Sequence, residues 1–126
     1  MQGAPANPFG YPETVWRLFR EAPRSGSLEG DGVQEASTGS RANRNRLRLQ
    51  VKMSASRIVD ARFQAYGCPT TIAVGAWIAG WVVGKEFREL SQIDVKMIRE
   101  ALEIPEDRTH CALMGEDLVK ALPGAR

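Results

Sequence analysis

The sequence predicts a single α+β domain in which a small antiparallel sheet of about three strands packs against an N-terminal helix and a set of C-terminal helices. Two segments near the middle of the chain alternate apolar and polar residues, the pattern of half-buried strands. Beyond residue 68 the apolar residues recur instead at helical spacing. A chain of 126 residues is long enough to bury one hydrophobic core. We therefore assign residues 11–122 to one domain, residues 1–10 to a flexible N-terminus and residues 123–126 to a C-terminal tail.

The first half of the chain is predicted to hold one helix and one hairpin. Residues 12–21 have helical spacing and are stopped by "APRSG"; their apolar positions are Val15, Trp16, Leu18 and Phe19. Residues 26–40 are rich in Gly, Ser and Glu, which predicts a loop or a weak edge strand. Residues 47–53 and 59–65 alternate on either side of "SASR", so they predict an antiparallel hairpin. The predicted inward positions are Leu47, Leu49, Val51 and Met53, followed by Val59, Ala61, Phe63 and Ala65.

The second half is predicted to be helical. Pro69 suits the first turn of a helix that runs to about Val83, because a proline lacks the N–H that has no partner there. Ser91 is a candidate N-cap for the next helix, "QIDVKMIREAL". The last helix is predicted from about Thr109 to the residue before Pro123. Its expected inward side chains are Leu113, Leu118 and Leu122.

Residues 63–84 contain no charged side chain, so a membrane span has to be weighed against a buried helix. Polar residues occupy the first half of this stretch and three glycines dilute the second. Only about 13 residues, 72–84, are continuously small or apolar, which suits a core helix better than a span. The N-terminus has no export signal pattern, so we expect a cytoplasmic protein with reduced thiols and no membrane contact.

A basic run on and before the first long strand invites a nucleic-acid interpretation; its members are Arg41, Arg44, Arg46, Arg48 and Lys52. Against this interpretation, the formal net charge is only +2 and no aromatic residue interleaves the run. The later members also fall on the solvent face of the predicted strand. We therefore expect a docking surface for an acidic protein partner rather than a nucleic-acid site.

The two cysteines of the chain both fall at predicted helix starts. Cys68 directly precedes Pro69, and Cys111 lies in the first turn of the last helix beside His110, the only histidine. Unpaired N–H groups and the partial positive charge of a helix N-terminus favour a thiolate. Two thiolates and an imidazole suit zinc or iron, but a closed site needs a fourth ligand. Spacing alone leaves open that both cysteines pack as small hydrophobes and that the histidine is a surface residue.

The segments "DARFQAYGCPTTIA" and "THCALMGEDLVKAL" resemble the NifU-like, IscU-type family of iron–sulfur cluster assembly scaffolds. "YPETVWRLFREAPRSGSL" and "LRLQVKM" extend the resemblance over residues 11–122. It implies the SufE/NifU-like fold and a metal-ligand role for Cys68, His110 and Cys111. Members of this family also carry a cysteine and an aspartate before the first long strand, where "GSRANRNRLRLQ" has Asn43 and Asn45. Since neutral amides are poor ligands for iron or zinc, these two positions are degenerate.

A second departure lies just before His110. IscU-type scaffolds carry Leu-Pro-Pro-Val-Lys there, the segment that a specialised Hsp70 chaperone binds. The present sequence reads "IPEDR" over residues 104–108, with one proline and two acidic residues. This difference argues against recognition by that chaperone.

The resemblance implies a non-enzymatic scaffold or carrier whose cofactor is an iron–sulfur cluster or iron, with zinc as a further option. Its implied partners are a cysteine desulfurase or other assembly proteins, together with apo-protein acceptors. Transfer of sulfur to one of the two cysteines belongs to the same function. The alternative is a degenerate interaction module that keeps the fold, binds zinc or no metal, and bridges or regulates partner proteins.

Overall fold

The computed structural model describes residues 9–40, 42 and 44–123, apart from the side chain of Ser40. One helix precedes a three-stranded sheet, and three helices and two short 3₁₀ segments follow it, so the predicted α+β class is confirmed. The elements are α1 (Glu13–Glu21), β1 (Val33–Ser40), β2 (Asn45–Ser54), β3 (Arg57–Tyr66), α2 (Pro69–Val82), α3 (Val95–Leu102) and α4 (Thr109–Lys120). The 3₁₀ segments are Phe87–Gln92 before α3 and Glu106–Arg108 before α4. Asn43, predicted as a degenerate ligand position, lies outside the described residues.

The sheet is antiparallel, with the strands in the order β1-β2-β3. Leu49 on the central strand pairs with Ala36 of β1 and with Phe63 of β3, and all three side chains are buried. The weak strand expected within residues 26–40 is therefore the edge strand β1. Side chains of β2 alternate between the helices and solvent, because successive residues of a strand point to opposite faces.

One predicted inward residue of β3 is wrong. Val59 is 50% exposed, and Ile58 is fully buried in its place. The pairing shifts between Lys52, which pairs with Asp60, and Met53, which pairs with Ile58. This bulge leaves Val59 without a partner and reverses the inward and outward sides of the strand end, since an extra residue shifts a two-residue repeat by one.

Helix α2 lies across the inner face of the sheet and packs against α1 and α4. Its central residues are buried, which explains the uncharged stretch in the sequence. The backbone of α2 approaches the sheet closely at Gly75: a Cβ there would lie 2.6 Å from a ring carbon of Phe63 and 3.0 Å from a methyl carbon of Leu47. Among the helices of the described residues, none combines the length and the apolar character that a membrane span requires.

The predicted start of α3 is wrong. Ser91 lies in the 3₁₀ segment, where its hydroxyl donates to the carbonyl of Arg88. The N-cap is Asp94, whose carboxylate accepts a hydrogen bond from the backbone N–H of Met97 at 2.8 Å. Asp and Ser cap helices about equally well, so the residue preference alone did not separate the two positions.

The inward face of α4 also differs from the prediction. Leu113 is 46% exposed, whereas Cys111, Met114 and Leu118 face the core. The buried stripe thus passes through Cys111, a predicted ligand that is not among the predicted inward side chains of this helix. The helix ends at Lys120, and Leu122 is buried just beyond it.

Candidate metal centre

The N-termini of α2 and α4 meet and bring the two cysteines together. Cys68 is the N-cap residue of α2, and Cys111 is the third residue of α4. The hydroxyl oxygen of Thr71, one turn into α2, lies 3.6 Å from the Cys68 sulfur and 3.5 Å from the Cys111 sulfur. One fully buried hydroxyl therefore connects two thiols that are 43 positions apart in the chain.

His110 is the third predicted ligand and lies on the exposed side of the same cluster. Its Nε2 atom is 3.5 Å from the sulfur of Cys111, which is itself fully buried. Cys68 is half-buried, and both cysteines are free thiols. The structure thus brings all three predicted residues together. The Cys111 sulfur lies beneath the protein surface, and the His110 imidazole lies at the solvent-exposed edge of the cluster.

Asn45 borders the cluster at the start of β2. Its side chain is 8% exposed, among the few buried polar residues of the described chain. The backbone of Gly67 passes close to Asn45: a Cβ at Gly67 would lie 3.1 Å from the Cβ of Asn45 and 3.2 Å from that of Thr71. Asn45 therefore lies within van der Waals reach of the turn that carries Cys68.

Arg108 is not among the predicted site residues but contacts the site directly. Its guanidinium donates a hydrogen bond to the Cys68 sulfur at 3.3 Å and lies over the ring of Tyr11, 5.3 Å from its centre. Thr71 was also missed. Its position three residues after the N-cap Cys68 could have indicated its contact with this cysteine, because side chains there commonly reach back to the cap residue.

Comparison with known proteins identifies the family. Residues 10–122 match the model of the NifU-like N terminal domain. The chain belongs to the NifU-like N terminal domain family. It is 37% identical to the iron–sulfur cluster assembly scaffold protein IscU of Haemophilus influenzae over 88% of this chain and 90% of that protein. Its identity to IscU of Escherichia coli K12 is 36%, over 88% and 89%.

Two solved structures share the fold. FiSufU from Fervidobacterium islandicum AW-1 superposes with a TM-score of 0.72 at 17% identity, over 89% of this chain and 95% of that one. The N-terminal part of a nitrogen-fixing NifU-like protein from Brucella abortus gives a TM-score of 0.58 at 20% identity, over 86% and 76%. At these identities the likeness concerns the fold alone.

The two thiols of this NifU-like domain have opposite electrostatic environments. A hydrogen bond from the Cys111 thiol is the main cause that lowers the pKa of Cys68 to about 4, and the Thr71 hydroxyl and nearby backbone N–H groups act in the same direction against partial burial. Donating that hydrogen bond, together with burial, raises the pKa of Cys111 well above its ordinary value. The pair therefore holds one proton at neutral pH, with the thiolate on Cys68.

The donor set of this NifU-like domain is chemically suited to iron or zinc, since both metals accept thiolate sulfur and imidazole nitrogen. Among the described residues, no three His, Cys, Asp or Glu side chains surround a common point that could hold a metal ion. The sulfurs and the imidazole are neighbours, but Arg108 occupies one side of the Cys68 sulfur. A metal ion bound by the Cys68 sulfur would have to displace this guanidinium.

Proposed function

We propose that this protein is an iron–sulfur cluster assembly scaffold or carrier that holds iron, or a cluster, on Cys68, His110 and Cys111. The observation that carries the proposal is the Thr71 hydroxyl within 3.6 Å of both sulfurs, at the N-termini of two helices. The names of the curated relatives, which are iron–sulfur cluster assembly scaffold proteins, support the same function and argue against an enzyme.

The two cysteines would act in sequence when the metal cargo arrives. Cys68 is already a thiolate and can bind first, displacing the Arg108 guanidinium from its sulfur. Cys111 then loses its proton, because a coordinated thiol is deprotonated by the charge of the metal. Thr71 can go on donating a hydrogen bond to one of the coordinated sulfurs, and His110 offers a ring nitrogen from the solvent side.

Sulfur delivery fits the same cysteines. In this step the Cys68 thiolate attacks the outer sulfur of a persulfide on a cysteine desulfurase, and the S–S bond of the donor breaks. The desulfurase cysteine leaves as a thiolate, so no external oxidant or reductant is needed. Cys68 suits this role because it is half-buried and ionised, whereas Cys111 is buried and protonated.

Anaerobic reconstitution with ferrous iron and sulfide tests the proposal through visible absorbance and iron analysis. We expect bound iron in the wild type and its loss in Cys68→Ala, Cys111→Ala and His110→Ala. Leu113→Ala is the matched control, because this exposed residue lies on the same helix as two of the ligands. Retention of iron by all three ligand variants, or no bound metal in the wild type, would contradict the proposal.

The second candidate function is a degenerate NifU-like interaction module that binds only zinc or no metal. The observation that favours it is the buried amide of Asn45 where the resembled family has an aspartate. One zinc per chain that is lost in the cysteine variants, without any cluster formation, would favour the zinc form of this module. Absence of all metal, with unchanged stability in those variants, would favour a purely structural role.

A further inference from the structure

The outer face of the sheet, which points away from the helices, carries positive charge that the proposed metal site does not use. Arg46 and Arg48 lie on this face, because they alternate with the buried Leu47 and Leu49 along β2. Arg44, in the turn that precedes the strand, is exposed as well. The basic run of the sequence therefore forms a basic surface at one end of the sheet.

Arg48 already has a carboxylate partner within the sheet, whereas Arg46 has none in register. Glu35 of β1 lies 2.7 Å from Arg48, and this hydrogen bond is the main cause that lowers the pKa of the Glu35 carboxyl. Arg46 acts on Glu35 through its charge alone, and more weakly. The residues that pair with Arg46 are Gly39 on β1 and Tyr66 on β3, and neither is acidic. In the part of the chain that the structure describes, no ion pair includes Arg46, so its guanidinium is available to a carboxylate from outside.

Two cavities border Arg46 on this face. One, of about 540 Å³, is lined by Arg46, Tyr66, Arg44 and Ser37. The other, of about 320 Å³, is lined by Arg46, Tyr66 and Arg48. Arg44 also takes part in none of the ion pairs among the described residues, and the Tyr66 side chain is 67% exposed. These five residues, here called the Arg46 surface, thus combine two guanidinium groups outside those ion pairs with an exposed aromatic ring and a hydroxyl.

We propose that the Arg46 surface binds an extended acidic segment of a partner protein, with carboxylates at alternate positions. Arg44 and Arg46 are two positions apart, so their Cα atoms lie at most about 7 Å from each other. Alternate side chains of an extended peptide have nearly the same spacing, about 6.6 Å, and lie on one side of it. Two such carboxylates can therefore face the two guanidinium groups at once and accept charge-assisted hydrogen bonds from them. Tyr66, beside Arg46, gives the segment an apolar contact.

A short acidic segment fits this face better than a nucleic acid does. The outer face also carries the carboxylates of Glu35 and Asp60, which would repel a phosphate backbone that runs along it. The formal net charge of the chain is only +2. The positive charge at Arg44 and Arg46 is confined to one end of the face, and a few carboxylates are enough to match it. Because the cysteines lie on the helical side of the sheet, this docking does not depend on the proposed metal function.

Binding is tested first with the peptide acetyl-Thr-Glu-Thr-Glu-Thr-Glu-Thr-amide, in a nuclear magnetic resonance titration of the full chain at low ionic strength. The backbone amide signals of Arg46 and Tyr66 should shift, and added salt should weaken the binding. Arg44→Gln and Arg46→Gln should each weaken it about fivefold, as expected for the loss of one partly exposed ion pair. Lys52→Gln is the matched control, because it removes one charge from the same strand face outside both cavities. Absence of binding at about 1 mM peptide, or equal weakening by Lys52→Gln, would overturn the proposal.

The chemistry of the occupant is tested second, with altered probes. The peptide with Gln in place of Glu should not bind, and Thr-Thr-Glu-Glu-Glu-Thr-Thr, with its carboxylates on consecutive residues, should bind severalfold more weakly. Equal binding of the two acidic peptides would contradict the alternate spacing. An eight-nucleotide thymidine strand that bound more tightly than the peptide through the same arginines would overturn the proposal in favour of a nucleic acid. Cobalt(II), a spectroscopic probe of the thiols, should bind Arg46→Gln as it binds the wild type, and a difference would contradict a docking role confined to the outer face.

Discussion

Replacement of Thr71 by valine is the sharpest test of how the site is organised. Valine has nearly the same shape as threonine but cannot donate to either sulfur. Thr71 is fully buried and its hydroxyl is the atom that the two cysteine sulfurs share. The substitution therefore removes the hydroxyl that lies between the sulfurs, leaves the hydrogen bond from the Cys111 thiol to Cys68 in place, and keeps the packing at the start of α2.

The expected change in the pKa of Cys68 follows from the loss of one hydrogen bond to an ionised group. Such a bond contributes about 1.5–3 kcal/mol, and the long separation of 3.6 Å from the Cys68 sulfur places it at the lower end. About 1.4 kcal/mol corresponds to one pKa unit, so the pKa of Cys68 should rise from about 4 to about 5. Metal affinity should fall roughly 10- to 100-fold, as is usual when a group that supports a ligand is lost.

Two measurements check this prediction. The first is the rate of alkylation of Cys68 by iodoacetamide in the metal-free protein, which should fall about threefold at about pH 4.5 because less thiolate is present. The second is the cobalt affinity from competition with a chelator. Thr71→Ser is the matched control, since it keeps the hydroxyl and should restore both values.

Unchanged alkylation and unchanged cobalt affinity in Thr71→Val would refute the reasoning. Equal losses in Thr71→Ser and Thr71→Val would also refute it, because they would assign the effect to the lost methyl group. Thermal unfolding tests whether the substitutions act by destabilising the whole fold. The free energy of unfolding should change by less than about 1.5 kcal/mol in either variant.

Four further predictions concern packing, capping and pH. In urea titrations, Gly75→Ala should lower the free energy of unfolding by about 1–3 kcal/mol, because the added Cβ would meet side chains of β2 and β3. Gly80→Ala is the control: this position has open space around it, so the substitution should be neutral or stabilising. Asp94→Ala should cost about 1 kcal/mol in the same assay as an N-cap loss, whereas Ser91→Ala should cost only a few tenths; equal costs would contradict the capping assignment. Alkylation of Cys68 should be nearly independent of pH between about 5.5 and 8, because its pKa of about 4 lies below that range, and a tenfold change per pH unit would contradict the thiolate. Because the folded pKa is depressed, the contribution of this thiolate to stability is complete above the unfolded pKa of about 8.5 and is lost as the pH falls toward 4, which can be followed by denaturant titration of the metal-free protein.

The strand pattern and the long helix were predictable because each follows a simple period. Leu47, Leu49 and Val51 alternate without interruption, and the structure buries all three. The prediction that Val59 points inward was wrong because a bulge adds a residue to β3. No single residue type marks such a bulge in this strand. The predicted alternation of β3 holds from Ala61 onward and is shifted by one residue on the N-terminal side of the bulge, where Ile58 is buried.

The candidate site was only partly predictable for a different reason. Helix starts could be read from Pro69 and from the residues before His110, so the surroundings of each cysteine followed from local sequence. The N-termini of the two helices meet because of tertiary packing, which local sequence does not reveal. The short distances from both sulfurs to Thr71 are a result of that packing. The contact of Arg108 with Cys68 depends on the same meeting, so no local pattern indicated it. The ligand roles of Cys68, His110 and Cys111 stay predictions until metal is measured.

The order in which the chain is made gives the meeting of α2 and α4 a further consequence. When Cys68 has just been added to the growing chain, the segment that carries its partner sulfur, Thr109–Lys120, has yet to be synthesised. Until α4 docks, Cys68 lacks both the thiol of Cys111 and the guanidinium of Arg108 as hydrogen-bond donors. A growing chain would therefore carry a more ordinary thiol, and the ionised sulfur would arise only when folding is complete. In this arrangement the ionised form of the cysteine is a product of the finished fold.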